Sequence, residues 1–283
     1  MTFIMLKKKL SLFYYSARFI FERPSDIYKF LLYLYYKILK KTPVLKLKVL
    51  NKKKMVLDLD SHIDRTIFFH EYVEKELSDF LSKYLKKEST FFDIGANSGY
   101  FSLLTSTIIE NGSIHAFEPV QYIYNNFSKS VKINNIKNIF INNVCVGSKN
   151  KKVDFYVASH SDVSSIRKTD FQKSSKKIKC KMITLESYCD MKNIKRIDMI
   201  KIDTEGNEFD ILRGSMKILK RFKPVLIIEF SNKTTESFGY HPNIMYDYLT
   251  GLGYKIFSYS GSKIIPQNKK DYYEEDLFCF YKF

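Results

Sequence analysis

Two carboxylates flank a glycine-containing turn in the first half of the chain. Asp93 lies at the carboxyl end of a short apolar run, residues 91–94, which is too short for a helix and predicts a strand. The turn at residues 95–99 follows, and Glu118 comes directly after a second predicted strand at residues 114–117. Because ligands of open α/β sheets bind outside the carboxyl ends of the strands, we expect both carboxylates and the turn to face one ligand.

The spacing within this segment fits a nucleoside. Gly95 lets the backbone approach a ligand without a Cβ in the way, and Gly99 would let the helix predicted at residues 100–109 pack closely on the strand. The helix start offers free N–H groups. Glu118 lies 25 residues after Asp93, close to the roughly 20-residue spacing of the acid that binds ribose in dinucleotide sites. The pattern here is D-x-G-x-x-x-G and not G-x-G-x-x-G, and its carboxylate suits a ligand with an ammonium group, such as S-adenosylmethionine.

Four motifs, in this order, resemble the FkbM-family methyltransferases: DIGANSGYFSLL, HAFEP, IDMIKIDTEGNEFDILRG and PVLIIEF. The resemblance covers residues 55–283. It implies an α/β, Rossmann-like class I methyltransferase fold, with a seven-stranded, mostly parallel sheet, one antiparallel strand near the C-terminus and helices on both faces. It also implies S-adenosylmethionine as the donor and, usually, O-methylation of a sugar or natural-product hydroxyl. In class I methyltransferases the residues just after the third strand contact the adenine, which here predicts backbone contacts around Asn143 and Val144.

The predicted cofactor-binding residues combine the motif positions with this resemblance. They are Asp93, Gly95, Ala96, Asn97, Gly99, Tyr100, Glu118, Pro119, Asn143 and Val144.

A second group of acidic residues follows another predicted strand. The mostly apolar run at residues 197–202 predicts a buried strand, after which Asp203 and Glu205 would emerge at the same sheet edge. Glu229 lies near the carboxyl end of a further predicted strand at residues 224–232. A hydroxyl is a poor nucleophile until it loses its proton, so a base or a metal ion is expected there. We predict Asp203 as base or metal ligand, with Glu205 and Glu229 as the other candidates, and the sequence leaves the use of a divalent metal open.

Three further polar residues in this segment have structural interpretations. Lys201 lies inside the strand and needs a carboxylate partner if it points into the core. Asn207 is a plausible N-cap for the next helix. Glu208 is expected to stabilise the start of that helix and not to react.

The net charge of +17 is concentrated at the beginning of the chain. Residues 1–60 contain 14 Lys and Arg against four Asp and Glu. Abundant Lys, Asn, Ile, Tyr and Phe without Trp is also what an A+T-rich genome produces, so the charge alone does not indicate nucleic acid, and we expect no nucleic-acid partner. We predict a basic, aromatic and helical N-terminal extension over residues 1–54 and a methyltransferase domain over residues 55–283.

The apolar clusters of the extension are too short to cross a bilayer, since Arg18 and Lys37 interrupt them and a span needs about 20 apolar residues. No uninterrupted signal-peptide core is recognisable. The extension is therefore expected either to pack on the domain or to contact an anionic membrane peripherally. The four cysteines have no metal or C-x-x-C spacing, which favours reduced core thiols in a cytoplasmic protein, with the inner membrane surface as a second location.

Two shorter segments complete the expected organisation. Residues 49–69 alternate enough to suggest a hairpin, with a turn near residues 61–64. Residues 147–182 are polar and lysine-rich, and predict an inserted hairpin or flap that carries His160 in its loop.

Two other classes of function stay open at this point. A nucleotide-sugar oxidoreductase would share the βαβ unit, although G-x-G-x-x-G and a Tyr-x-x-x-Lys pair on a helix are lacking. A non-catalytic basic module would bind membrane or RNA through residues 1–54, with a strong salt dependence. Within the methyltransferases, DTEG stands where amino-group methyltransferases tend to carry an Asn/Asp-Pro-Pro-aromatic stretch, which favours a hydroxyl acceptor. The acceptor is expected to be a small molecule or a glycan, and the oligomeric state is left open.

Overall fold

The computed structural model describes residues 24–48, 50–158, 164–168 and 175–281. His160 and residues 1–23 of the predicted extension lie outside this part of the chain.

The strands, in chain order, are β1 (Val44–Lys46), β2 (Lys54–Val56), β3 (Thr90–Ile94), β4 (Ser113–Phe117), β5 (Ile139–Asn142), β6 (Cys145–Val146), β7 (Lys151–Ala158), β8 (Ser175–Ile183), β9 (Met199–Ile202), β10 (Val225–Ser231), β11 (Tyr254–Ser260), β12 (Lys263–Pro266) and β13 (Glu274–Tyr281). The helices are α1 (Pro24–Ile38), α2 (His62–His70), α3 (Lys75–Tyr84), α4 (Tyr100–Thr105), α5 (Gln121–Ile133), α6 (Leu185–Lys192), α7 (Glu208–Gly214), α8 (Met216–Phe222), α9 (Asn232–Glu236) and α10 (Asn243–Gly251).

The main sheet of the described residues has eight strands in the order β12-β11-β13-β10-β9-β3-β4-β5. The strands from β10 to β5 are parallel, and β13 runs antiparallel to both β10 and β11. This confirms the Rossmann-like α/β class and the antiparallel strand near the C-terminus. The short edge strand β12 pairs antiparallel with β11 and adds an eighth strand to the seven that were expected.

Helices cover both faces of this sheet. The central strand β3 shows this, because its apolar side chains pack against helices on each side. Phe91 belongs to a core cluster with residues of α3, α4 and α5. Its neighbour Phe92 belongs to a second cluster with residues of α6, α7, α8 and α10. Successive side chains of a strand point to opposite faces, so a strand that is buried on both faces must read as a continuous apolar run.

The predicted insertion forms a separate three-stranded sheet, which we call the flap (β6, β7 and β8, with their connections). β7 and β8 pair antiparallel over their whole length, and β6 pairs parallel with β8. The flap packs through Phe155 and Met182 against Val120 and Ile123, beside the start of α5. The insertion therefore lies over the carboxyl end of β4.

The hairpin expected at residues 49–69 is wrong. β2 pairs instead with β1, and residues His62–His70 form α2. Ser61 accepts a hydrogen bond from the Asp64 backbone N–H at 3.1 Å, so a serine N-cap starts the helix. Ile67 and Phe68 are both buried on this helix, although they are neighbours in sequence. An alternating strand would have placed one of the two side chains on the opposite face, so the alternation was misleading.

The residues on both sides of the predicted boundary at residue 54 are part of the main core. Leu47, Leu50 and Met55 are buried in the same cluster as Phe91. The β2 strand is bonded to α5, since the Val56 N–H donates to Ser130 Oγ at 2.9 Å. None of the described helices is both long and apolar enough to cross a membrane.

Candidate active site

A cavity lies at the carboxyl ends of β3, β4 and β9. The turn after β3 forms its centre, Glu118 and Pro119 border it after β4, and Asp203 to Glu205 border it after β9. The flap closes one side with Phe155 and Ile166. This is the sheet edge where the sequence predicted the site.

The glycines of the turn are required by contacts within the protein. Gly95 has φ +80°, and a Cβ there would lie 1.8 Å from the backbone oxygen of Asp203. Gly99 has φ +84°, and its Cβ would lie 2.3 Å from the ring of Phe127 on α5. The sequence analysis predicted that the backbone at Gly95 approaches a ligand closely. In the structure it is the backbone at the end of β9 that Gly95 approaches closely. Gly99 does allow close packing, but on α5.

Glu118 is fixed beside the turn by two backbone hydrogen bonds. The Asn97 N–H donates to its Oε2 at 3.0 Å and the Val120 N–H to its Oε1 at 2.8 Å. Burial raises the pKa of Glu118 to about 7, although these two N–H groups oppose the rise. Asn143 does not line the cavity, because its side-chain amide donates to the carbonyls of Glu118 and Pro119 at 2.9 and 3.0 Å.

Asp93 faces the protein interior and not the cavity. It is fully buried, and Ser102 Oγ donates to its Oδ2 at 2.6 Å. Burial raises the pKa of Asp93, while the nearby Lys201 ammonium opposes this. The expectation that Asp93 projects toward a ligand is therefore not met in this geometry, since the side chain turns toward α4.

Lys201 is a buried cation at the centre of a group of carboxylates. Its Nζ donates to Asp203 Oδ2 at 2.7 Å, and its side chain is only 3% exposed. Burial alone would lower the pKa of Lys201, but Asp203, Asp93, Glu74 and Asp276 together raise it above its usual value. The sequence predicted that a core-facing Lys201 needs a carboxylate partner, and this is confirmed.

Two of these carboxyl groups also interact with each other. The carboxyl group of Glu74, from the loop before α3, interacts electrostatically with Asp276 on β13. Burial of that group raises the pKa of Glu74 to about 8, and burial likewise raises the pKa of Asp276 to about 6. Such a pair holds a proton more readily than separate acids would.

Glu229 lies outside the cavity lining, opposite Asp276 in the β10–β13 ladder. Burial and then the neighbouring carboxylates, Asp203 first, raise the pKa of Glu229 to about 11. A carboxyl group in that state is protonated at neutral pH and cannot accept a proton, which argues against the predicted catalytic role of Glu229. Asp203 and Glu205, in contrast, both line the cavity.

The loop after β9 is held in a left-handed conformation. Glu205 has φ +58°, an uncommon value for a non-glycine residue. Glu208 Oε1 accepts hydrogen bonds from the Thr204 N–H and hydroxyl, both at 2.8 Å, and from the Gly206 N–H at 3.2 Å. The Glu208 carboxylate therefore stabilises the loop before α7, whereas the expected role was at the start of the helix itself. Asn207 makes no N-cap bond, and its amide donates instead to Val146 O at 3.1 Å.

Residues 93–256 match the family model described as the methyltransferase FkbM domain. The chain belongs to the FkbM methyltransferase family. It is 26% identical over 167 residues to a protein named Methyltransferase 1 from Beauveria bassiana strain ARSEF 2860, covering 51% of this chain and 66% of that protein. The matched region thus spans just under two thirds of the fungal relative.

Two solved structures are similar to the chain. The methyltransferase FkbM from Methylobacillus flagellatus KT has 15% identity and a TM-score of 0.47, over 75% of this chain and 50% of that one. The O-methyltransferase from Bacillus cereus, solved in complex with SAH, has 13% identity and a TM-score of 0.45, over 75% of this chain and 83% of that one.

The cavity of this FkbM-family chain contains residues that sequence reasoning missed. Lys201 was noted in its strand but not placed in the site, and Glu74 was not considered. Phe155 and Ile166 come from the flap, whose position over the turn has no local signal in the sequence. Of the predicted residues, Gly95, Ala96, Asn97, Tyr100, Glu118, Pro119, Val144, Asp203 and Glu205 line the cavity. Among the described residues, no group of three or more His, Cys, Asp or Glu is arranged to hold a metal ion.

Proposed function

We propose that this protein is an S-adenosylmethionine-dependent methyltransferase that methylates a hydroxyl of a sugar, glycan or related natural product. The supporting observation is the contrast between the two sides of the cavity. Phe117, Val120, Ile123 and Val144 make the side near β4 apolar, whereas the side near β9 carries Asp203, Glu205 and the Glu74 carboxyl group. A nucleoside that carries a positively charged tail complements both sides.

Glu118 is the residue proposed to bind the ribose. Each of its oxygens already accepts one backbone N–H, and a carboxylate has about four lone-pair sites, so it can still accept hydroxyl hydrogens. The apolar residues beside it, with Val144 among them, would flank a flat base. The backbone of the Gly95 turn and the acidic residues after β9 would lie against the charged tail.

The same residues disfavour a dinucleotide. A pyrophosphate would lie beside Asp203 and Glu205, and Lys201, the cation among the described lining residues, is already ion-paired. Like charges held close together in a poorly solvated site repel each other. The oxidoreductase alternative therefore lacks support from this cavity.

Asp203 is the residue proposed to act on the acceptor. When bound, the donor supplies an electrophilic methyl group on a sulfonium, so the protein must align the acceptor and accept its proton. The Asp203 side chain is 34% exposed and its position is fixed by Lys201. Glu205, in its left-handed loop, is the second candidate.

A calorimetric titration tests the donor assignment. The purified chain should bind S-adenosylhomocysteine at micromolar concentration and NADH far more weakly. Glu118→Ala should weaken S-adenosylhomocysteine binding by about 1–3 kcal/mol, because the ribose hydroxyls lose their acceptor. Asp203→Asn should leave this binding within a few-fold. Tighter binding of NADH, or no effect of Glu118→Ala, would overturn the assignment.

The apolar face of α1 supports a peripheral membrane contact in the cytoplasm. Tyr28, Leu31, Tyr35 and Ile38 are 64%, 58%, 49% and 76% exposed, at the spacing of one helix face. Residues 40–41 are exposed lysines that would lie near anionic headgroups. The full chain should co-sediment with phosphatidylglycerol-containing vesicles, and Leu31→Glu should abolish this. Equal sedimentation with neutral vesicles would contradict the charge argument.

A further inference from the structure

A second cavity adjoins the candidate active site. It is open to solvent and lies between the flap and the start of α7, and we call it the basic cleft. Ile166 and Asn207 line both cavities, Glu205 lines the first and Gly206 the second. A molecule in the basic cleft would therefore reach the active site beside the loop that carries Asp203.

The cleft is lined by more cations than anions. Its cationic residues, all exposed, are Lys151, Lys152, Arg167 and Arg213. Its two acids have other partners: Asp154 pairs with Lys177 and Lys179 at 2.7 and 2.5 Å, and Asp210 accepts hydrogen bonds from the Ser148 N–H and hydroxyl at 2.9 and 2.7 Å. None of the four cations has a salt bridge to an acid in the described part of the chain.

Aromatic rings hold the two arginines in place. The guanidinium carbon of Arg167 lies 5.1 Å from the ring centre of Phe238, and its Nη1 donates to Phe238 O at 3.0 Å. The guanidinium carbon of Arg213 lies 5.9 Å from the ring centre of Phe209. A guanidinium that is stacked on a ring loses less freedom on binding an oxyanion, and its remaining donors match phosphate or carboxylate geometry.

Asn207 provides an independent observation at the junction of the two cavities. The residue is 4% exposed, and its amide donates to Val146 O. Its Oδ1 is buried and has no hydrogen-bond donor among the described residues. A buried acceptor without a donor is costly, and a hydroxyl of a bound molecule would satisfy it.

We propose that the basic cleft binds the methyl acceptor, and that this acceptor carries an oxyanion, either a phosphate or a carboxylate, next to its hydroxyl-bearing ring. The inference rests on the proposed function and adds the charge of the substrate. Arg167 and Arg213 bind the oxyanion, the half-buried rings of Phe209 and Tyr240 contact the apolar face of the ring, and Asn207 accepts from a hydroxyl. A phosphorylated or uronic-acid sugar has this chemistry, and a neutral sugar lacks it.

The test is a titration of the full chain, with and without saturating S-adenosylhomocysteine, with glucose 1-phosphate, glucuronate and glucose. At least one anionic sugar should bind tenfold or more tightly than glucose, and the better of the two identifies the oxyanion. Binding should weaken between 50 and 300 mM salt, because the contact is electrostatic. Arg213→Gln and Arg167→Gln should each reduce it about tenfold, and S-adenosylhomocysteine affinity should not change.

Lys217→Gln is the matched control, because it removes one positive charge from a lysine that is paired with Glu186 at 2.7 Å outside the cleft. It should leave the affinity for the anionic sugar unchanged. Equal or undetectable binding of anionic and neutral sugars would overturn this inference, even if S-adenosylhomocysteine binds and the proposed function stands. Tighter binding of a single-stranded RNA hexamer than of either anionic sugar would overturn it as well. If S-adenosylhomocysteine does not bind, the donor assignment is refuted. The sugar titrations in the absence of S-adenosylhomocysteine would still decide whether the cleft prefers an anionic sugar.

Discussion

Gly95→Ala is expected to destabilise the fold strongly, because the turn and the end of β9 are in direct contact. Gly95 has φ +80°, and a Cβ there would lie 1.8 Å from Asp203 O. That carbonyl cannot easily move, since the Asp203 N–H is bonded to Ile94 O at 3.1 Å and β3 pairs with β9 up to Ile94 and Ile202. The added methyl group must therefore displace one of two buried strand ends.

Gly239→Ala provides the matched control for the backbone part of this cost. Gly239 has φ +76°, and a Cβ there would have no neighbour within 4 Å. A left-handed alanine costs about 1–2 kcal/mol, of which about 0.4–1 kcal/mol is offset by the less flexible unfolded chain. Gly239→Ala should thus lower the free energy of unfolding by about 0.5–1 kcal/mol. Gly95→Ala adds the cost of overpacking, about 1–3 kcal/mol, for a total of about 1.5–4 kcal/mol.

Urea denaturation at 25 °C measures both variants, with an unchanged slope required for the comparison. A difference of about 1–3 kcal/mol between Gly95→Ala and Gly239→Ala is expected, which is the overpacking cost. If the two variants lose the same stability, the close approach of Gly95 to Asp203 is wrong, and the glycine serves only the backbone conformation.

Three further predictions concern the titratable groups. The affinity for S-adenosylhomocysteine should rise with pH through about 7, because only the ionised Glu118, whose pKa is about 7, accepts both ribose hydroxyls. In Glu118→Gln the affinity should be independent of pH. Calorimetry of the native chain at pH 6 and 8 would show equal affinities if Glu118 does not bind ribose. Lys201→Met should cost about 3–5 kcal/mol of stability in urea, because it leaves buried carboxylates without their cation, and a loss under about 1 kcal/mol would contradict the ion cluster. The pKa of Asp276 is about 6 and above its unfolded value, so its contribution to stability is fully present below about pH 4 and is lost as the pH rises through 6. Denaturation of Asp276→Asn between pH 4 and 7 should therefore depend less on pH than that of the native chain, and an identical dependence would exclude Asp276 as its source.

Local patterns were sufficient for most of the sheet and for one helix in detail. The helix α5 buries Ile123 and Phe127, which lie four residues apart, and this helical spacing is visible in the sequence. The strands β3, β4, β9 and β10 are mostly apolar runs, and each was predicted from the sequence. The segment around Ser61 was misread, since a short stretch with hydrophobic residues on two spacings fits both a strand and a capped helix, and contacts with the rest of the core decide between them.

The sequence predicted only those site residues that come directly after a strand. Asp203, Glu205 and Glu118 come after strands, and the general geometry of α/β sheets placed them at one edge. Asp93 follows the same rule but turns inward, because Ser102 on α4 offers a hydrogen bond nine residues away in sequence. The flap residue Phe155 and the Glu74 carboxyl group reach the cavity through tertiary packing, which a single sequence does not encode at short range.

Lys201 pairs with only one of two carboxyl groups at the same edge of the sheet. Its Nζ donates to Asp203 at 2.7 Å, and Asp203 lines the cavity. No described residue forms a salt bridge with Glu229, and burial together with its acidic neighbours raises its pKa to about 11. Position therefore assigns the two acids different roles in the proposed reaction: Asp203 lines the cavity and accepts the proton of the acceptor, whereas Glu229 lies behind it with a raised pKa. Glu229→Gln should therefore preserve donor binding and turnover, and a loss of turnover comparable to that of Asp203→Asn would show that Glu229 takes part in the chemistry.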